Sequence, residues 1–105
     1  MTDPTEAMRK HARRYENVEE GTSCSQTSFK TGGVAFFYIG EQGGRFKAMF
    51  KLRDSQSEAE TLASNEPDNY QLGAGWVTAR FSESEPLPNK LWKRWLDESY
   101  ALSRK

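Results

Sequence analysis

Residues 45–53, Arg-Phe-Lys-Ala-Met-Phe-Lys-Leu-Arg, alternate between two kinds of side chain almost residue by residue. Successive side chains of a strand point to opposite faces. The pattern therefore predicts a strand with Phe46, Ala48, Phe50 and Leu52 on one face and Arg45, Lys47, Met49, Lys51 and Arg53 on the other. The first face demands an apolar layer against it. The second carries four cations and no acid before Asp54. Like charges so placed repel one another, so the row calls for acids on neighbouring strands or for an anionic partner. A chain containing this strand is expected to build an antiparallel sheet with one covered and one open face.

The flanking sequence supplies the rest of such a domain. Thr2 to Arg14 reads as a helix, with Asp3 placed to cap it, Pro4 in the first turn and Glu6 completing a capping-box pattern. Residues 22–27 read as a polar loop, Ser28 to Thr31 as a short strand, and Gly32-Gly33 as a tight hairpin turn. Val34 to Ile39 is apolar enough for a strand buried on both faces, and residues 40–44 read as a looser turn into the basic strand. Ser55 to Glu66 reads as a second helix, with Ser55 and Glu58 as a capping box and Pro67 as its stop. After a loop at 67–75, Trp76 to Phe81 alternates as a fourth strand. A last helix capped by Asn89 repeats Leu91, Trp92, Trp95, Leu96, Ser99 and Leu102 at helical spacing. The order helix, three strands, helix, strand, helix predicts an α+β two-layer sandwich, an antiparallel sheet of about four strands with helices on one face.

At 105 residues the chain is read as a single domain, residues 1–105, with one modest core. Thirteen aromatic residues, six Phe, four Tyr and three Trp, give that core much area per residue. Fifteen basic and fifteen acidic side chains cancel. Only local clustering, not net charge, can therefore point to nucleic acid or membrane. A lone cysteine, Cys24, permits no internal disulfide, and no apolar stretch approaches a membrane span. These features lead to the expectation of a cytoplasmic protein with no membrane association.

Candidate sites are few. On the cationic face, Arg80 of the fourth strand joins Arg45, Lys47, Lys51 and Arg53 if the register agrees. Such a face is either solvated and paired across strands or a contact for phosphates. Arg9, Lys10, His11, Arg13 and Arg14 form a second basic patch, which cations near a helix C-terminus also explain. Lys93 and Arg94 add a third, between Trp92 and Trp95, whose spacing suits a core. His11, the sole histidine, has no Asp partner nearby in sequence, and no Cys/His spacing suggests a metal. The glycines of 40–44 open no helix, so they do not form a phosphate loop. The residues point to no catalytic group, no metal ligand, no cofactor and no small-molecule substrate.

Several stretches, in their order and spacing, resemble the MmcQ/YjbR family. They are Val18-Glu19-Glu20-Gly21, the hairpin Ser28 to Phe37, the helix end Ala63-Ser64-Asn65-Glu66-Pro67, the strand Gly75 to Ala79, and a closing helix rich in Leu and Trp. The resemblance covers roughly residues 5–104, about the size of a one-core domain. The chain departs from the family pattern at Glu16-Asn17, where the family usually has Pro-Gly, and at Ser28, where it usually has Pro. The resemblance implies a bacterial protein with a fold similar to frataxin, and a DNA-binding label without a catalytic motif. Frataxin-like iron binding would want an acidic ridge, whereas the first helix here is basic.

The expected function is that of a non-enzymatic binding domain. It would contact DNA without sequence preference through Arg45, Lys47, Lys51 and Arg53, helped by Arg9, Arg13 and Arg80. The alternative is a protein-interaction or chaperone-like module that uses the exposed sheet face or an edge.

Overall fold

The computed structural model describes residues 4–23, 26–73 and 75–103. The elements run α1 (Pro4–Arg13), β1 (Val18–Ser23), β2 (Gln26–Thr31), β3 (Val34–Gln42), β4 (Arg45–Lys51), α2 (Gln56–Asn65), β5 (Tyr70–Gly73), β6 (Trp76–Phe81) and α3 (Asn89–Ser103). One antiparallel sheet takes the strand order β1-β2-β3-β4-β6-β5. The α+β class agrees with the sequence reading, but the sheet has six strands rather than about four. β1 and β5, read as loop or turn, are its two edges.

Two hairpins are set by glycine pairs at positive φ, Gly32-Gly33 (57° and 81°) and Gly43-Gly44 (62° and 79°). Both central residues of this tight turn need the left-handed region, which costs glycine nothing. The second turn is therefore as tight as the first. Asn17 also has a positive φ, of 57°. It stands where the resemblance led one to expect Gly, and Asn tolerates this region better than most side chains. The Tyr100 hydroxyl donates to the Glu16 carbonyl at 2.7 Å, which holds the turn closed.

The core lies between one face of the sheet and the helices. Phe29, Phe37, Ile39, Ala48, Phe50, Val77, Ala79 and Phe81 point into it from the strands. Met8 and Ala12 of α1, Ala59 of α2, and Leu91, Trp92, Trp95, Leu96 and Tyr100 of α3 close it from the other side. Trp95 is fully buried edge-on to Phe50, with ring centroids 5.7 Å apart. Leu102, expected on this face, is only half-buried, and Tyr100 and Ser103 are buried instead.

β3 is not a plain strand buried on both sides. Phe29 pairs with Phe37 but the next residue, Lys30, pairs with Ala35, so Phe36 is the extra residue of a bulge. The bulge sends Phe36 and Phe37 in succession to the core and leaves Tyr38 on the open face. It also frees the Phe36 carbonyl. α3 uses that opening: the Ser99 hydroxyl, fully buried, donates to the Phe36 carbonyl and accepts the Lys51 N–H at 2.8 Å.

The basic strand ends at Lys51, two residues short of the sequence expectation. Beyond it the backbone turns to α3, where Glu98 accepts the N–H groups of Arg53 (2.6 Å) and Ser55 (3.2 Å) and the Ser55 hydroxyl (2.6 Å). The expected Ser55–Glu58 capping box is not formed. Ser55 makes no side-chain cap bond to α2, because its hydroxyl is committed to Glu98. Glu58 instead accepts from Arg94 at 2.6 Å and from the Trp95 indole at 3.0 Å, which ties α2 to α3. The Asp3 cap and Cys24 lie outside the described residues. No helix among the described residues is long and apolar enough to cross a membrane.

Candidate functional site

The open face of the sheet follows from the register. Lys47 lies opposite Gly40 on β3 and Arg80 on β6, Met49 lies between Tyr38 and Thr78, and Lys51 lies opposite Trp76. Residues directly opposite in an antiparallel pair share a face. Lys47, Lys51 and Arg80 therefore stand together around a floor of Tyr38, Met49 and Trp76.

Among the described residues, the strand acids that would make this face an ordinary paired surface do not lie opposite these cations. None of the ion pairs among the described residues involves Lys47, Lys51 or Arg80. The nearest strand carboxylate on this side by register is Glu19, which lies opposite Lys30 at the β1 edge. At ~4.8 Å per strand it is about 14 Å from β4. Lys47 and Arg80 are directly opposed, and like charges in that position destabilise a sheet.

The cations differ in what holds them. Arg80 donates to the Gln71 amide oxygen at 2.8 Å. The Lys51 ammonium sits 5.3 Å from the Trp76 ring centroid and donates to the Ser103 hydroxyl at 3.2 Å. Arg45, by contrast, is used internally: its guanidinium donates to the Asn69 side chain at 2.6 Å and to the Arg80 carbonyl at 3.2 Å. Those bonds pull it to the strand end. Arg53 is exposed but lies past the strand, in the turn organised by Glu98.

Arg9 and Arg13 do not join the open face. Arg9 donates to Thr27 at 2.8 Å, and Thr27 is a buried residue on the covered side. Arg13 is paired in two bonds with Glu20, whose register partner is the core residue Phe29. The hydrogen bond to Arg13 is the main cause holding the Glu20 carboxyl below its ordinary range. The basic patches are thus on opposite sides of the sheet, and the set brought together is Lys47, Lys51 and Arg80.

Two features escaped the sequence. One is the aromatic floor. Tyr38 and Trp76 sit on strands separated by β4, with ring centroids 5.5 Å apart and planes inclined at 50°. They line a cleft of about 600 Å³ with Met49, Thr78, Gln26 and Gln71. Alternation alone places each ring on a face, but only the β3-β4-β6 order makes them neighbours. The other is a partner for His11. Its Nε2 lies 2.9 Å from Asp97 on α3, which also accepts the Tyr15 hydroxyl. Burial, and then the Asp97 bond, push the Tyr15 hydroxyl well above its ordinary pKa. Nothing in the local sequence of α1 announces Asp97. The cluster clamps α1 to α3, with Tyr15 stacked on Tyr100 at 4.2 Å. Among the described residues no three His, Cys, Asp or Glu are grouped so as to hold a metal ion.

A search of curated proteins found no match. Among solved structures, the chain is similar to the crystal structure of Deinococcus radiodurans protein DR2400, which carries a DUF419 domain. The two are 17% identical, the likeness covers 97% of this chain and 81% of that one, and the TM-score is 0.72. At that identity the likeness concerns the fold. The family model YjbR matches residues 13–102. That span runs from the last residue of α1 into the last turn of α3 and takes in every strand, so the chain belongs to the MmcQ/YjbR family.

Proposed function

We propose that this protein is a non-enzymatic domain that binds nucleic acid without sequence preference through the open face of its sheet. Lys47, Lys51 and Arg80 make the contacts. The observation that carries this reading is the direct opposition of Lys47 and Arg80, neither of which takes part in an ion pair among the described residues. An unneutralised cation pair is a standing cost in the free protein, and a phosphate placed between the two relieves it. Phosphate contacts of this kind give affinity without reading bases. Arg45 is held at the strand end by Asn69 and the Arg80 carbonyl, Arg53 lies past the strand, and Arg9 and Arg13 lie on the helix side, so these four are left out of the contact set.

Fluorescence anisotropy with labelled duplex and single-stranded DNA of random sequence, titrated with salt, tests the reading. Three phosphate contacts predict a slope of log K on log [salt] of about −2 to −3. Lys47→Glu and Arg80→Glu should each weaken binding and flatten that slope by roughly one contact. Absence of binding to either nucleic acid at low salt, or variants that bind like the parent, would overturn it.

A second reading has one observation in its favour. Leu72 on the β5 edge is 42% exposed and stands opposite Val77, on the helix side of the sheet, which suits an apolar side chain from a protein partner at that edge. In that case Leu72→Asp, rather than Lys47→Glu, would abolish capture of the partner.

A further inference from the structure

The cations explain attraction to an anion but not the surface they surround. In a sheet whose open face meets only water, the residues between the charges have no need to be aromatic. Here the centre of the face is Tyr38, Met49 and Trp76, on the adjacent interior strands β3, β4 and β6. Tyr38 and Trp76 are half-buried, so each ring keeps part of its surface toward solvent. Their inclination of 50° leaves the two rings unstacked on each other, and a flat ring from outside can lie against either.

We propose that the ligand of this face is a single strand of nucleic acid, its bases stacked on Trp76 and Tyr38 and its phosphates against Lys47, Lys51 and Arg80. The inference rests on the nucleic-acid reading above and narrows it. A duplex keeps its bases stacked inside and presents phosphates to a flat sheet, so it would engage the cations and leave the rings unused. A single strand offers the π-faces of its bases as well as its phosphates, and aromatic platforms set in a basic groove are the physical answer to that ligand. Lys47 and Lys51 are four residues apart on β4, a rise of about 13 Å at ~3.3 Å per residue, and the rings lie on the strands either side. The Lys51 ammonium lies over the Trp76 ring, 5.3 Å from its centroid, so a base that stacks there displaces the flexible Lys51 side chain toward the phosphate of the same nucleotide. The neutral amides of Gln26 and Gln71 line the same cleft. They can hydrogen-bond a base edge without adding charge.

The test uses the full chain with fluorescein-labelled dT12, rU12 and a 12-base-pair duplex at one salt concentration, together with intrinsic tryptophan fluorescence. Trp92 and Trp95 are buried in the core, so a change on ligand addition reports Trp76. The expected result is single-strand binding at least about tenfold tighter than duplex binding, with Trp76 quenched. Trp76→Ala should weaken single-strand binding by about ten- to a hundred-fold, and Trp76→Phe should restore much of it. The dT12 and rU12 arms separate DNA from RNA, and preference for either supports the inference. If the duplex binds as tightly as the single strand, Trp76 is not quenched, and Lys47→Glu still abolishes binding, the inference falls and the broader reading stands. If no nucleic acid binds, both fall. Because quenching is read on the parent protein, the outcome holds even if Trp76→Ala fails to fold.

Discussion

Ser99→Ala removes one oxygen from the interior and is expected to be among the most damaging small changes in this fold. The Ser99 hydroxyl is fully buried and fills the opening left by the β3 bulge, where it satisfies the Phe36 carbonyl and the Lys51 N–H at once. Alanine leaves both backbone groups in place with no water to replace the lost partner. Each stranded group costs about 1–3 kcal/mol, and alanine's own helix propensity returns only a few tenths. The sum is about 3 kcal/mol. For a domain near 100 residues each kcal/mol moves Tm by about 4–8 °C, so a fall of roughly 12–24 °C is expected by circular dichroism. Ser103→Ala is the comparison. Its hydroxyl makes longer bonds, 3.2 Å from the Lys51 ammonium and 3.5 Å to the Ala35 carbonyl, so its loss should cost under about 1 kcal/mol. If Ser99→Ala melts within a few degrees of the parent, the two backbone groups have found each other or solvent. The picture of α3 pegged into the sheet by that hydroxyl is then wrong.

Lys47→Glu should raise stability by roughly 0.2–1 kcal/mol, since it turns an opposed like-charge pair with Arg80 into an opposite-charge one; chemical denaturation measures it, and a loss of stability would mean that the two charges do not meet. Burial would raise the Glu98 carboxyl, but its bonds from Ser55 and the backbone N–H groups of Arg53 and Ser55 outweigh it and hold the group below its ordinary value of 4.5. The stability Glu98 provides is therefore present above about pH 4.5 and lost as pH falls through the depressed folded value. Glu98→Gln should cost about 1–2 kcal/mol at pH 7, as loss of a helix cap does, with the difference from the parent closing in acid melts. The Tyr15 hydroxyl shifts the other way. Its neutral form is favoured in the folded state, so stability should decline as pH rises above about 10, and Tyr15→Phe should flatten that decline.

The central strands were legible in the sequence because they are buried by alternation. Ala48 and Phe50, with Phe46 half-buried beside them, could face only a core, and Trp92, Trp95 and Leu96 at helical spacing could be only its lid. The edge strands were not. Residues 18–23, Val-Glu-Glu-Gly-Thr-Ser, contain one apolar side chain, and residues 70–73, Tyr-Gln-Leu-Gly, bury only Tyr70. An edge strand is held by hydrogen bonds to one neighbour, and hydrogen bonding leaves no hydrophobic period to read. The cation row was half legible for a related reason. Alternation placed Lys47 and Lys51 on a common face and left Arg80 to the register, while the diversion of Arg45 to Asn69 and of the Arg53 backbone to Glu98 depends on contacts distant in sequence. Tyr38 and Trp76 became a pair only through strand order.

The polar character that hides β1 in the sequence has a consequence for the molecule among its own copies. A sheet that is not closed ends in two rows of free backbone donors and acceptors, each a template for another chain. β5 is four residues long, too short a rail to extend. β1 is six residues long and carries Glu19 toward the open face and Glu20 toward the helices. A second copy bringing its own β1 onto this one would set carboxylates near carboxylates, a repulsion that the Arg13 pair at Glu20 relieves in part. The strand with the least to contribute to the core is the one that puts charge along the longer of the two open edges.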